Sequence, residues 1–266
     1  MTDLSLFQVD AFADKPFEGN PAAVVPLDVW LPDEMLLAIA AENNLGATAF
    51  FVASEKGYDL RWFTPAVEIP LCGHATLASA HVLFQHLGYE AAEIKFQTKS
   101  GELTVGRDGD LYVMDFPSNP AKPTMTSDAL CDALGARPSM VLKAKNFLCV
   151  FEDLRDVAAL QPNIARLTKF CLDANAGVIA TAPGNEQMGW DCASRYFAPN
   201  FGIAEDPVTG SAHTTIVPFW AKRLDKVDVT ARQISKRGGT LFCTMQEDRI
   251  LMRGRTADYL KGTISV

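Results

Sequence analysis

The chain carries RWFTP at Arg61–Pro65 and, half its length of 266 residues further on, RYFAP at Arg195–Pro199. The same offset aligns Cys72 with Asp206. Each copy follows an apolar run typical of a strand and precedes small residues that open a helix-like pattern. Because the order of strand, strand, loop and helix is shared, the sequence predicts two similar domains that arose by duplication.

The linker between the two halves is predicted at Pro117–Pro123, where three prolines in seven residues exclude a helix or a central strand. The sequence therefore predicts an N-terminal domain over residues 1–117 and a C-terminal domain over residues 124–258. Residues 259–266 either follow the C-terminal domain or return to the N-terminal domain.

Alternating apolar runs and turn residues predict most of the secondary structure. One helical segment is apolar nearly all round, and such a helix is buried and not exposed to solvent. With its counterpart in the second half, it indicates that each half consists mostly of strands around one central helix. The predicted elements are strands at Thr48–Val52 and Gly177–Thr181, a hairpin over Leu103–Val105 and Leu111–Met114, a first helix from Pro32 to Ala41, and the two central helices at Thr76–Leu87 and Thr214–Leu224.

The composition argues against several classes of partner. With 24 Lys and Arg against 32 Asp and Glu, the net charge is −8, and no basic cluster offers a surface to nucleic acid. No run of about 18 apolar residues predicts a membrane span, and Met1–Leu4 lacks the basic residues of a signal peptide. The six cysteines include no C-x-x-C pair. We therefore expect a reduced, cytoplasmic protein without a metal.

Two loops of small residues begin the central helices, CGHAT at Cys72–Thr76 and DPVTGS at Asp206–Ser211. The first N–H groups of a helix lack internal partners and lie at the positive end of its dipole. Two such helix starts that face one another across a domain interface would form a cleft suited to a carboxylate and to the enolate-like charge that deprotonation beside it creates. This chemistry requires no cofactor. The alternative is that Gly73 and Gly210 are ordinary turn residues in a packed interface.

Three side chains in these loops are candidates for proton transfer. His74 is either a proton shuttle or a structural histidine, and Cys72 is either an acid–base thiol or a small buried residue. Asp206 either caps its helix or forms an acid–base pair with Cys72. Cys72 and His74 are too close in sequence to form a nucleophile–base pair reliably. Ser211 and His213, two apart on a helix, do not face each other, and no nucleophile-elbow, dinucleotide or phosphate-loop motif is present, so hydrolase and dehydrogenase chemistry is excluded.

A set of motifs extends over nearly the whole chain. In order, the segments are Val9–Phe12, Phe17–Val24, Arg61–Pro65, Cys72–Thr76, Glu205–His213, Arg232–Ser235 and Arg237–Gly239. Together they resemble the PhzF-like, phenazine-biosynthesis family of the diaminopimelate epimerase superfamily. The resemblance implies an α+β fold of two pseudosymmetric domains, each a β-barrel wrapped around a central helix. It also implies a homodimer and a cofactor-independent isomerase, since the best-understood member of the family isomerises trans-2,3-dihydro-3-hydroxyanthranilate.

The resemblance also implies roles for residues of the two loops. It assigns substrate positioning and proton handling to His74, Asp206 and Ser211, and it places a substrate carboxylate on the backbone at the two helix starts. Epimerase relatives use a pair of cysteines at the positions of Cys72 and Asp206, so a two-thiol racemase is not supported here. The substrate-binding set implied is Gly73, Thr209, Gly210 and Ser211.

One position departs from the family pattern. Where the family has N-L-S-E-T-A-F, with the glutamate as general base, Asn44–Phe50 reads NLGATAF and places Ala47 at the glutamate's position. A methyl group cannot accept a proton, and loss of a general base costs about 10²–10⁴-fold in rate. Either Asp206 or Cys72 takes the proton instead, or the protein binds a ligand without turnover, or the alanine is an engineered change. Two functions stay open: a cofactor-independent isomerase or epimerase of a small carboxylate-bearing substrate, and a catalytically silent protein that binds a small anion.

Overall fold

Strands contain more of the described residues than helices do, and most of the helices connect two neighbouring strands that run parallel. The computed structural model describes residues 2–266. The helices are α1 (Asp33–Asn43), α2 (Gly73–His86), α3 (Asp128–Leu134), α4 (Leu154–Ala159), α5 (Ile164–Ala174) and α6 (Gly210–Leu224), with 3₁₀ turns at Glu186–Met188 and Pro199–Phe201. The strands are β1 (Asp3–Ala11), β2 (Asn20–Leu27), β3 (Ala47–Ser54), β4 (Gly57–Phe63), β5 (Glu68–Ile69), β6 (Glu93–Thr98), β7 (Gly101–Asp108), β8 (Leu111–Pro117), β9 (Lys122–Pro123), β10 (Met140–Lys143), β11 (Phe147–Val150), β12 (Val178–Pro183), β13 (Cys192–Ala198), β14 (Ile203–Asp206), β15 (Asp228–Gln233), β16 (Gly239–Gln246), β17 (Arg249–Gly254) and β18 (Thr256–Ser265).

The described residues divide into two units. One contains the chain up to Asp115 together with Arg253–Val266, and the other is Phe116–Met252. In the first unit the C-terminal strand β18 pairs antiparallel with β1, so the end of the chain completes the unit that the beginning of the chain starts. None of the helices within residues 2–266 combines the length and apolarity needed to cross a bilayer.

The two units repeat one strand topology. In the first, β1–β2, β3–β4 and β6–β7 are antiparallel, whereas β2–β3 and β4–β6 are parallel. In the second, β10–β11, β12–β13 and β15–β16 are antiparallel, whereas β11–β12 and β13–β15 are parallel. A parallel pair requires a crossover. The second crossover of each unit contains its long helix, α2 or α6. The repeat predicted from the two five-residue motifs is therefore present in the order and direction of the strands.

The long helix of each unit is buried, as its composition predicts. In α2 every residue from Ala75 to Phe84 is buried, and the helix packs against β1, β2, β3, β7 and β18. Gly88, with a φ of 69°, follows the helix in the left-handed conformation that ends it. In α6 the indole N–H of Trp220 donates to Oγ1 of Thr181 on β12 at 2.9 Å. Both helices begin earlier than the predicted Thr76 and Thr214, because their small first residues also adopt helical geometry.

Three helices of the second unit, α3, α4 and α5, were not predicted. Each begins with a side-chain cap: the side-chain oxygens of Ser127, Asp153 and Asn163 accept backbone N–H groups of the first turn. Ser, Asp and Asn are preferred at this position, so the signal was present in the sequence. The central helix of this unit is therefore accompanied by three shorter helices, of which α5 also carries an amphipathic pattern, with Leu167 and Cys171 buried one turn apart.

An arginine–glutamate fork precedes each central helix. Nε and Nη2 of Arg61 on β4 donate to the two carboxylate oxygens of Glu68 on β5, both at 2.9 Å. Arg195 on β13 holds Glu205 on β14 in the same way, at 2.7 and 2.8 Å. The guanidinium of Arg61 lowers the pKa of Glu68 to about 2. Because a bidentate fork fixes orientation as well as distance, each fork fixes the hairpin that leads into the helix start.

Arg195 provides a test of the fork. Its Nη1 also donates to the carbonyl oxygens of Leu160 at 2.7 Å and Val157 at 3.2 Å. A lysine is a point charge and cannot serve a fork and two carbonyls at once. We expect Arg195→Lys to lower the free energy of unfolding by about 1–3 kcal/mol, measured by urea denaturation.

The matched control is Arg166→Lys, because Arg166 is exposed and lies 3.9 Å from Asp132. An exposed pair of this kind contributes little, so this variant should stay within about 0.5 kcal/mol of the wild type. Equal losses in the two variants would contradict the role given to Arg195.

Candidate functional site

Ala47 begins β3 at the position where the family resemblance implies a glutamate. Its side chain is fully buried, and the residue pairs with Ala22 of the parallel strand β2. Glu42 is exposed on α1, and that helix ends before Asn44, whose backbone is left-handed with a φ of 48°. Position 47 therefore offers a methyl group, and Glu42 lies on a different element.

Cys72 lies immediately before α2 in extended backbone, with φ −146° and ψ 101°. Its Sγ is 3.4 Å from Nδ1 and 3.8 Å from Nε2 of His74. The two side chains are therefore in contact, although the residues are only two apart in sequence. The spacing rule applies within a helix, and Cys72 is still outside it. Burial lowers the pKa of His74 to about 4, so the imidazole is neutral at neutral pH and has a nitrogen free to accept a proton.

Thr209 occupies the equivalent place before α6. Its hydroxyl donates to Oδ2 of Asp206, and it does not accept an N–H of the first turn of α6. Nε2 of Gln233 donates to the backbone carbonyl of Asp206 at 2.6 Å, and Oε1 of Gln233 accepts the N–H of Thr209 at 2.9 Å. Gln233 is fully buried on β15. A single side-chain amide therefore fixes both ends of the loop that carries the Asp206 carboxylate.

Gln233 is a site residue that the sequence did not identify. It belongs to a segment that matches the family motifs, but no role follows from the residue itself. Its partners lie 24 and 27 residues earlier in the chain. Such a contact depends on the parallel pairing of β13 with β15, so no local spacing could have shown it.

The remaining candidates divide between the two helix starts. Gly73 is half-buried and begins α2, whereas Gly210 is buried and begins α6. Ser211 is exposed, while His213 is fully buried and donates its Nδ1–H to the carbonyl of Thr209 at 2.8 Å. Ser211 and His213 therefore do not face each other, as their spacing predicts. The first unit brings together Cys72, Gly73 and His74, and the second brings together Asp206, Thr209, Gly210 and Ser211.

The two central helices begin differently from α3, α4 and α5. The side chains of Cys72 before α2 and Thr209 before α6 do not cap the first turn, and Pro32 before α1 does not cap its helix either. By contrast, α3, α4 and α5 are each capped by a side chain. Uncapped N–H groups at the positive end of a long helix bind carboxylate and phosphate oxygens. Each start also has a group that can exchange a proton beside it, the Cys72 thiol in one unit and the Asp206 carboxylate in the other.

These residues do not form a metal site. Within residues 2–266, the one trio of His, Cys, Asp and Glu side chains close enough to hold an ion lies in the C-terminal half of α2 and on β18. All six cysteines lie among the described residues, are buried and form no disulfide. The chemistry available at the helix starts is thus binding of an anion by backbone N–H groups and proton exchange by a thiol, an imidazole or a carboxylate.

Comparison with known proteins relates the chain to one family. The family model described as phenazine biosynthesis-like protein, PhzC-PhzF, matches residues 9–262. A Pseudomonas aeruginosa protein named as an uncharacterized isomerase is 50% identical over 262 residues, which cover 98% of this chain and 99% of the relative. The crystal structure of a PhzF-family phenazine biosynthesis protein from Enterococcus faecalis is 40% identical, with a TM-score of 0.95 over 100% of both chains.

A more distant likeness concerns the fold alone. A hydroxyproline epimerase from Agrobacterium vitis has a TM-score of 0.59 at 11% identity, covering 98% of this chain and 92% of that one. Together with the Enterococcus structure, it confirms the predicted fold class, the α+β, diaminopimelate epimerase-like fold in which each domain wraps a β-barrel around a central helix.

His213 gives a prediction about stability. Burial lowers its pKa from 6.5 to about 4, so between these pH values the unfolded chain binds a proton that folded His213 does not. Stability is therefore present above pH 6.5 and is lost as the pH falls towards 4. One such group contributes a slope of at most about 1.4 kcal/mol per pH unit. We expect His213→Asn, which keeps an N–H donor for Thr209, to show a smaller slope than the wild type in urea denaturation at a series of pH values.

His74 has a pKa shifted in the same direction, so some slope should remain in that variant. His86, which is partly exposed at the end of α2, provides a control, and His86→Asn should leave the His213 contribution in place. An unchanged slope in His213→Asn would contradict the assignment.

Proposed function

We propose that this chain, which belongs to the PhzC-PhzF family of phenazine biosynthesis-like proteins, is an isomerase or epimerase that moves a proton beside the carboxylate of a small substrate. A relative that is 50% identical is named an isomerase, and the fold is shared with a hydroxyproline epimerase. The reaction requires an anion site and groups that donate and accept protons, and it uses no cofactor in this proposal.

The observation that carries the proposal is the pair of uncapped helix starts. Each lies at the N-terminus of a long buried helix, α2 or α6, without a side-chain cap. N–H groups fixed in this way stabilise a carboxylate and, more strongly, the negative charge that develops when the carbon beside it loses a proton. The expectation that both starts act on one substrate in an interdomain cleft comes from the sequence duplication and is part of the proposal.

Proton transfer is assigned to Cys72, His74 and Asp206. The thiol of Cys72 lies beside the neutral imidazole of His74, which is 3.4 Å away and can receive its proton. Asp206 is held by Thr209 and Gln233, so its carboxylate is oriented before a substrate binds. Gly73, Thr209, Gly210 and Ser211 would bind the substrate, mainly through the backbone at the helix starts.

One observation favours a second function. Ala47 is fully buried and carries no proton acceptor, so the family's usual base is absent. If neither Cys72 nor Asp206 takes over, the same helix starts would bind a small anion without turnover. The two candidates differ only in proton transfer, and a proton-exchange experiment therefore separates them.

The test is exchange of solvent deuterium into a panel of small carboxylates, cyclic amino acids included, followed by NMR. We expect the wild type to exchange the proton beside the carboxylate in at least one compound. Ala47→Glu should exchange the same proton about 10²–10⁴-fold faster, because it restores a general base. Cys72→Ser and Asp206→Asn then show which group serves as the base in the wild type.

Ala47→Gln is the matched control, since it has the size of the glutamate without its basicity and should behave as the wild type does. Circular dichroism of both variants checks that the larger side chain is accommodated at a buried position. A silent wild type with an active Ala47→Glu would establish the binding function instead. Absence of exchange in both proteins, with anion binding lost as well, would overturn the proposal altogether.

A further inference from the structure

Two histidines of α2 converge on one carboxylate oxygen. Nε2 of His81 and Nε2 of His86 lie 3.0 and 2.9 Å from Oδ1 of Asp258 on β18. The three potential ligand atoms all lie within 4.8 Å of one another. No local spacing predicts this cluster, because Asp258 lies more than 170 residues after either histidine. The three residues come together because β18 belongs to the first unit.

Neighbouring side chains orient the two imidazole rings of the cluster. Nδ1 of His81 lies 2.7 Å from Oγ1 of Thr256 and 3.3 Å from the hydroxyl of Tyr112. Hydrogen bonds to the second ring nitrogen are what orient the imidazole ligands of metal sites. The His86 ring stacks on Phe7 with centroids 4.9 Å apart. Both rings are therefore held with Nε2 directed at the carboxylate.

We propose that His81, His86 and Asp258 bind a divalent transition-metal ion of the Zn²⁺ type. Two imidazole nitrogens and one carboxylate are a ligand set that Zn²⁺ accepts, with water in the fourth position. Ligand distances of about 2.0–2.1 Å in a tetrahedron place the donor atoms about 3.3 Å apart. The two contacts of 2.9 and 3.0 Å with Asp258 would have to lengthen by a few tenths of an ångström. The two Nε2 atoms, which lie within 4.8 Å of each other, would have to adopt the same spacing of about 3.3 Å.

The proton arrangement can change to accept the ion. Without a metal, both Nε2 atoms carry the proton that they donate to Asp258, and Nδ1 of His81 accepts from Thr256. With a metal on Nε2, the His81 proton moves to Nδ1 and is donated to Thr256, whose hydroxyl serves in either role. A cavity of about 140 Å³ lined by His81, Thr256 and Tyr112 leaves the ring room to adjust.

Charge and exposure indicate an exchangeable ion. Asp258 is half-exposed, with 50% of its side chain accessible, so an ion and its water can enter from solvent. The C-terminal end of a helix favours a cation, and His86 is the last residue of α2. Arg107 lines the cavity beside His81 and Lys261 lies 5.7 Å from the Phe7 ring. These two cations oppose the ion, so we expect reversible binding.

The proposal uses residues that have no part in the proposed function, and each can fail without the other. Its experiment is titration of the dialysed, full-length protein with Zn²⁺ by isothermal calorimetry, repeated with Co²⁺ and visible absorption. We expect one ion per chain. Binding should be at least about tenfold weaker in His86→Phe, which keeps the ring and its stacking on Phe7, and in Asp258→Asn, which keeps an oxygen but loses the charge.

Cys72→Ser tests the rival site, because Cys72 and His74 are a thiol and an imidazole in contact. It should bind Zn²⁺ as the wild type does, and the Co²⁺ spectrum should contain tetrahedral d–d bands without a thiolate charge-transfer band. If one variant of the cluster does not fold, the other decides the matter. The proposal is overturned if the wild type binds no ion, if His86→Phe and Asp258→Asn bind like the wild type, or if Cys72→Ser abolishes binding.

Discussion

The amide groups at the start of a buried helix are the constraint on which the rest of this structure depends. A helix enclosed by its own strands needs a partner for its first N–H groups, and α3, α4 and α5 supply one with Ser, Asp or Asn side chains. The central helices α2 and α6 have no such cap. Each instead follows a hairpin held by an arginine–glutamate fork. Each fork thereby fixes the start of its central helix, and in the proposed function these helix starts bind an anion.

The two units share this framework and differ in the side chains placed on it. The residue that precedes α2 is Cys72, in contact with the neutral imidazole of His74. In the second unit Thr209 precedes α6, and the loop before the helix carries Asp206, which is held by Thr209 and Gln233. A racemase that treats both faces of a carbon alike would use like groups. Within the proposed function, an unlike pair suits a reaction in which the proton leaves one position and arrives at another.

The sequence predicted the features that depend on local pattern. The strand that begins near Ala47, the hairpin of β7 and β8, the helix α1 and the buried character of α2 all follow from apolar periodicity and turn residues. The short helices were missed because their caps were overlooked in favour of apolar runs. Gln233 and Asp258 could not be found, since each acts on residues brought close only by strand pairing. The contact of Cys72 with His74 could not be predicted from their spacing, because the spacing rule for helices does not apply to Cys72, which lies in extended backbone before α2.

The central claim is that the uncapped starts of α2 and α6 bind carboxylate. Its most direct test is titration of the ¹⁵N-labelled protein with small carboxylates while the backbone amide resonances are followed by NMR. We predict saturable shifts of the backbone amide resonances of Gly73, His74, Gly210 and Ser211. Carboxamide analogues of the same compounds, which lack the negative charge, should cause no such shifts. Saturable binding that shifts other residues and leaves all four of these amides unchanged would contradict it.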